Sequence, residues 1–392
     1  MFKLKITFWR VVLALILLIG AYATMVRFFR GLGASTNLND AFPWGLWIGF
    51  DVMCGVMLAA GGFTLTASVY LFNLKKFKPI VRPTVLTAFL GYQLVVVGLL
   101  FDLGRGYRIW HPLVMWNPRS VMFEVAWCVT LYSIVLSLEF AGVLFERFHL
   151  STLLRIQKML LIPLVIAGVL LSTLHQSSLG SLYLIVPNKL HPFWYSPILP
   201  ILFFLSAICV GLAMTIFESS MSAKHFGKQL ELPLIQSLGR TLLVMLCIYT
   251  LVRFLDLLHR GALGLLNNLG WESALFLLEM FLVSVVPICL LLIPKVRESS
   301  GGLYLASVLC LLGFVTNRMN VAITGMEASS GVHYFPKWTE IAVTLAITGF
   351  GFFVFAVAVK YLPIFSHETV NEPLSPLETV QAEVPELSNA GS

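Results

Sequence analysis

Charged residues are scarce in this 392-residue chain: Asp, Glu, Lys and Arg together make up 11% of it, where a soluble domain carries about a quarter. So few charges cannot cover a water-facing surface, and with 58% hydrophobic residues the chain reads as an all-α polytopic membrane protein. Cysteine is sparse too. The six, Cys54, Cys128, Cys209, Cys247, Cys289 and Cys310, stand singly with no CxxC spacing, which argues against an iron–sulfur cluster, a zinc site or an attached c-type haem. Paired histidines deep in facing apolar runs are also missing. His111, His149, His191, His225, His259, His333 and His367 fall in loops or at run ends, and His175 stands alone, so a b-type haem is not expected. No dense basic patch interleaves with aromatics, so the net charge of +7 points to anionic lipid and not to nucleic acid.

What the chain has is long apolar runs. Ten of about 20 residues or more lie near 9–29, 44–72, 84–103, 120–146, 156–174, 197–221, 236–258, 271–293, 302–323 and 339–361. An even number places both termini on one side. Sixteen of the 26 lysines and arginines fall on that side, so the positive-inside rule puts both termini in the cytoplasm of a multi-pass inner-membrane protein. The first run follows a short basic segment with no clean small-residue cleavage site and reads as a retained signal anchor. Residues 1–365 then form the membrane domain. Residues 366–392, with five glutamates and no lysine or arginine, are expected to be a disordered acidic cytoplasmic tail.

A weak internal repeat divides the membrane domain. Asp102 ends the third run and Asp256 the seventh, 154 residues later, while Glu124 and Glu279 are 155 apart. The spacing suggests ten transmembrane helices arranged as two tandem four-helix units, spans 2–5 (44–174) and 6–9 (197–323), with spans 1 and 10 flanking them. Arg253 and Asp256 are three apart on one helix and can neutralise each other, so the second unit reads as structural.

The first unit holds the candidate site. Carboxylates within a membrane are costly and rarely accidental. Asp102 and Glu124 sit at neighbouring span ends, with Arg105 one turn from Asp102 in the stretch FDLGRGYR. Asp51 lies about two turns into the second span, and Tyr92 enters the third on the way to Asp102. Glu139 follows Glu124 by fifteen residues, about four turns, so the two fall on one face and suit a proton path. The fifth span ends in HQSSLGSL, where His175 heads an interfacial hydrogen-bonding cluster at the depth of Asp102 and Glu124. Glu218, near the inner end of the sixth span, extends the acidic route. A polar cluster at one interface beside an apolar interior suits an amphipathic molecule with a polar redox head and an isoprenoid tail. Reducing such a head takes two electrons and two protons, hence protonatable side chains.

The segments FPWGLWIGFD (42–51), DLGR (102–105), SVMFE (120–124), LEFA (138–141), FER (145–147), HQSSLGSL (175–182), IFE (216–218) and YFP (334–336) closely resemble the NrfD/PsrC family of quinone-interacting membrane subunits. The resemblance covers nearly the whole chain and is strongest to members that serve Ni/Fe-hydrogenases. It implies a chain without bound haem or iron–sulfur cluster, exchanging electrons between menaquinone and a periplasmic ferredoxin-like iron–sulfur subunit beside a catalytic subunit. By the same resemblance Asp102, Glu124 and His175 match the quinone pocket, with Tyr92 nearby, and Glu139 and Glu218 match proton-route positions. Residues 317–325 and 327–332 look more like relatives in other complexes, which leaves polysulfide or nitrite reductases and multihaem-cytochrome complexes as alternative partners. The rival from another class is a proton-coupled secondary transporter, and a third reading is a purely structural anchor.

Overall fold

A chain crossing a bilayer finds no water there for its amides, so apolar runs of this length fold as helices that bond their own backbone. The computed structural model describes residues 7–185, 189–226, 232–268 and 270–365. Ten helices among them are long and apolar enough to span: α1 (Phe8–Arg30), α2 (Trp47–Leu71), α3 (Lys75–Asp102), α4 (Val121–Arg147), α5 (Ser151–Leu182), α6 (Leu199–His225), α7 (Leu232–His259), α8 (Trp271–Leu292), α9 (Ser300–Ser330) and α10 (Trp338–Tyr361). The acidic tail expected over 366–392 lies outside the described residues.

The helices α2 to α5 pack in sequence, each on the next, and α6 to α9 do likewise. α6 joins the two sets, because it lies along α2 and α5 as well as along α7 and α9. It passes α2 so closely that a Cβ built on Gly211 would meet the Ala60 backbone at 3.0 Å, which leaves room only for glycine. α1 packs on α10, and α10 on α3, along one flank.

Several helix limits differ from the apolar pattern, and three of them move residues singled out in the sequence. α5 continues to Leu182 and does not stop at 174, so HQSSLGSL is helix and not an interfacial segment. Its hydroxyls return hydrogen bonds to their own backbone, Ser177 to the Thr173 carbonyl at 3.0 Å, Ser178 to Leu174 at 2.7 Å and Ser181 to Ser177 at 3.2 Å. α9 runs through a π-helical turn, Asn320–Thr324, to Ser330, so Glu327 stands on the helix and not in a long loop. α2 begins at Trp47 in a π-helical stretch, Trp47–Cys54, which places Asp51 about one turn in, not two.

Candidate functional site

The seam between α4 and α5 carries a column of polar side chains, walled by α3 and α2. At the end of the bundle that holds residues 103–120, Glu124 is exposed in the first turn of α4 and accepts a 2.5 Å hydrogen bond from Ser178 of α5. One turn inward on α5, His175 is fully buried, and its Nδ1 is 2.9 Å from the Tyr92 hydroxyl of α3. The Tyr92 ring meets the buried Tyr132 of α4 edge-on, centroids 4.5 Å apart. Ser172 lies next to both phenols without a well-formed hydrogen bond to either. Gln176 reaches α2 through Nε2, which donates to the Val56 carbonyl at 3.2 Å. Glu139, half-buried, stands further along α4 and has no ion-pair partner among the described residues.

Hydrogen bonding here is incomplete. His175 Nε2, Tyr132 Oη, Ser172 Oγ, Ser133 Oγ and Gln176 Oε1 are all buried with no partner among the described residues. A buried polar atom left unpaired costs about 1–3 kcal/mol, so five in one place mark a site that something else completes.

The other expected site residues lie elsewhere. Tyr92 and Asp102 are ten residues apart on α3, about 15 Å along its axis, so Asp102 and His175 do not share a depth. Asp102 keeps company with α1 and α10. Arg27 of α1, buried, donates to the Phe101 and Leu103 carbonyls on either side of it at 2.7 and 2.8 Å. Asp51 belongs to the same flank, where it accepts a 2.7 Å bond from Thr344 of α10 and lies against Gly98, one turn inward of Asp102. Glu340 of α10 accepts from the backbone of Asn37 and Lys337 and from the Tyr334 hydroxyl. Arg105 is exposed in the turn after α3 and is not brought into the column. Glu218 of α6 is buried beside Thr87 of α3, with neither carboxylate oxygen in a well-formed hydrogen bond.

Among the residues unforeseen in the sequence, Tyr132 left a signal, since it stands eight residues after Glu124 and seven before Glu139, on one helix face. Gln176 and Ser178 fall within the polar cluster already singled out. Arg27 left none, because its carbonyl partners come from a helix seventy residues away.

In the second set of helices the carboxylate that stands 155 residues after Glu124 is satisfied. Glu279 accepts from Trp194 Nε1 at 2.7 Å, from Asn317 at 2.7 Å and from Asn320 at 2.9 Å. Asp256 is held by Ser196 at 2.8 Å and by a two-pronged Arg260, whose closer nitrogen is at 2.7 Å. Arg318 lies over the Phe203 ring at 3.4 Å.

Ten membrane-length helices define an integral membrane protein, and the polar column in its α4–α5 seam is incompletely bonded among the described residues. A family model described as "Polysulphide reductase, NrfD" matches residues 34–328, and the chain belongs to that family. It is 40% identical to a protein of Nitratidesulfovibrio vulgaris over 86% of this chain and 89% of the relative. It is 34% identical to the Escherichia coli protein named probable Ni/Fe-hydrogenase 2 b-type cytochrome subunit, over 86% and 87%. It is also 30% identical to the integral membrane subunit of menaquinone reductase of N. vulgaris, over 89% of each. The b-type haem that the E. coli name implies would need a pair of axial histidines, and among the described histidines only His175 lies well inside a span.

Proposed function

We propose that this chain is the quinone-reactive membrane subunit of a respiratory oxidoreductase complex. It exchanges electrons between the menaquinone pool and a periplasmic ferredoxin-like iron–sulfur subunit, with a Ni/Fe-hydrogenase as the catalytic partner. The observation that carries the reading is the concentration of unpartnered buried polar atoms around Tyr92, Tyr132 and His175, in contrast to the saturated Glu279 position. The names of the menaquinone reductase and hydrogenase relatives support the substrate and the partner.

In this reading α2 to α5 form the reactive unit and α6 to α9 a structural one. A quinone carbonyl meets His175 Nε2, which Tyr92 orients through Nδ1. Apolar walls exclude water from the ring. Glu124, held by Ser178, exchanges protons at the 103–120 end, while Glu139 and Glu218 serve a route from the opposite, cytoplasmic end. Asp102 and Asp51 stand on the far side of α3, facing α1 and α10, and hold no part of the headgroup. The excess of basic residues at the opposite end supports cytoplasmic termini and an inner-membrane location.

The test is binding of a menaquinone analogue to the purified chain in nanodiscs, wild type against His175→Ala. Saturable binding lost in the variant is expected. No saturable binding to a folded wild-type chain overturns the reading.

A further inference from the structure

Glu139 and Tyr132 stand seven residues apart on one side of α4, about 10 Å along the axis. Opposite them on α5 is Gly168, where a built Cβ would lie 3.6 Å from Glu139 Oε1 and 3.6 Å from the edge of the Tyr132 ring. Carboxyl and phenol therefore come to one point of the seam, which the Val135 side chain also lines at 3.5 Å. On the far side of Tyr132, Ser172 stands one turn beyond Gly168, next to the phenols of both Tyr132 and Tyr92. The Tyr132 and Ser172 hydroxyls are both buried and unpartnered among the described residues. A phenol needed only for packing has no use for that hydroxyl, and phenylalanine would stack on Tyr92 as well.

We infer that Tyr132 is a proton-relay residue, linking the Glu139 carboxyl to the Tyr92–His175 pair along the seam beside Gly168 and past Ser172. The inference rests on the quinone reading above. In the reducing direction the Tyr132 O–H bond breaks toward Ser172 and His175 while a proton from the Glu139 carboxyl replaces it. Tyrosine is unchanged after each proton, and nothing is oxidised or reduced in the step. The two electrons for the quinone come from the partner's iron–sulfur carrier.

Two substitutions separate relay from packing. Tyr132→Phe deletes the hydroxyl and keeps the edge-on contact with Tyr92. Gly168→Ala deletes no polar group and adds a methyl at ordinary contact distance. In the complete complex isolated from its own membranes, reduction of a menaquinone analogue is followed in H₂O and D₂O beside analogue binding. Both variants are expected to slow turnover about tenfold or more and to raise the solvent isotope effect. Analogue Kd stays within about twofold of wild type, and adding Glu139→Gln to Tyr132→Phe slows turnover no further. Wild-type turnover in Tyr132→Phe overturns the relay, as does lost analogue binding in that variant, which would make Tyr132 a headgroup contact. Wild-type turnover in Gly168→Ala overturns the passage beside Gly168, and additive losses in the double variant overturn the link to Glu139. Failure of the wild type to bind the analogue is a different result, and it removes the quinone reading itself.

Discussion

The Tyr92 hydroxyl and His175 Nδ1 share a 2.9 Å hydrogen bond, and that bond leaves Nε2 of the same ring buried with nothing to meet. The pair joins α3 to α5 across 83 positions of sequence. It fixes the plane of the imidazole, so the free nitrogen points in one direction. His175→Ala is therefore expected to weaken menaquinone-analogue binding about tenfold, the scale of one buried hydrogen bond, in a titration of the chain in nanodiscs. Tyr92→Phe keeps the ring contact with Tyr132 and loosens only the imidazole, so a smaller loss, about two- to fivefold, is expected. Unchanged affinity in His175→Ala would take the imidazole out of the site.

Glu124 separates charge from assembly. Glu124→Gln retains an oxygen that can accept from Ser178, so the complex is expected to assemble at wild-type yield. Proton exchange at that position is lost, and quinone turnover should fall about a hundredfold. Turnover at the wild-type rate, measured on the intact complex, would leave Glu124 outside the mechanism.

The flank around Arg27 is expected to matter for stability and not for ligand. Arg27→Ala takes donors from the Phe101 and Leu103 carbonyls and the cation from beside Asp102. A loss of about 2–4 kcal/mol is expected, visible as a lower thermal midpoint in detergent, with analogue affinity within about twofold of wild type. Asp102→Asn should likewise leave affinity unchanged. Weakened binding in Asp102→Asn would bring the headgroup nearer the 103–120 end than proposed.

Glu279 offers the contrasting case. Glu279→Ala strands three donors, Trp194, Asn317 and Asn320, and is expected to cost about 3–5 kcal/mol or to prevent folding. Glu279→Gln keeps one acceptor oxygen and should recover part of the melting temperature. Wild-type melting of Glu279→Ala would contradict a structural role for the second unit.

Outside the spans, burial and the hydrogen bond to the Glu340 carboxylate push the Tyr334 phenol well above its usual range. Its folded-state pKa is thus raised, so its contribution to stability is complete below about pH 10, where unfolded tyrosine begins to ionise, and is lost as pH rises further. Tyr334→Phe should lower the melting temperature at neutral pH and flatten its decline above about pH 10. An identical alkaline decline in both proteins would dissociate Tyr334 from it.

Long apolar runs of membrane length, punctuated by polar turns, were enough to specify ten helices, because a bilayer admits few other backbones. Intramembrane acids likewise announced themselves by cost, and the offset of 155 residues between Glu124 and Glu279 was visible as a number. Hydropathy could not say that the polar segment 175–182 stays helical, since that depends on hydroxyls bonding carbonyls one turn back. Nor could it tell depth or partner. Tyr92 meets His175, Arg27 closes on the end of α3, and Glu279 is saturated where Glu124 is not, each through contacts between helices far apart in sequence. The sequence by itself determined how many helices cross and which costly groups they carry; only tertiary packing decided which of those groups are satisfied and which are left unpaired, because a side chain's partner is set by the neighbouring helix and not by its own.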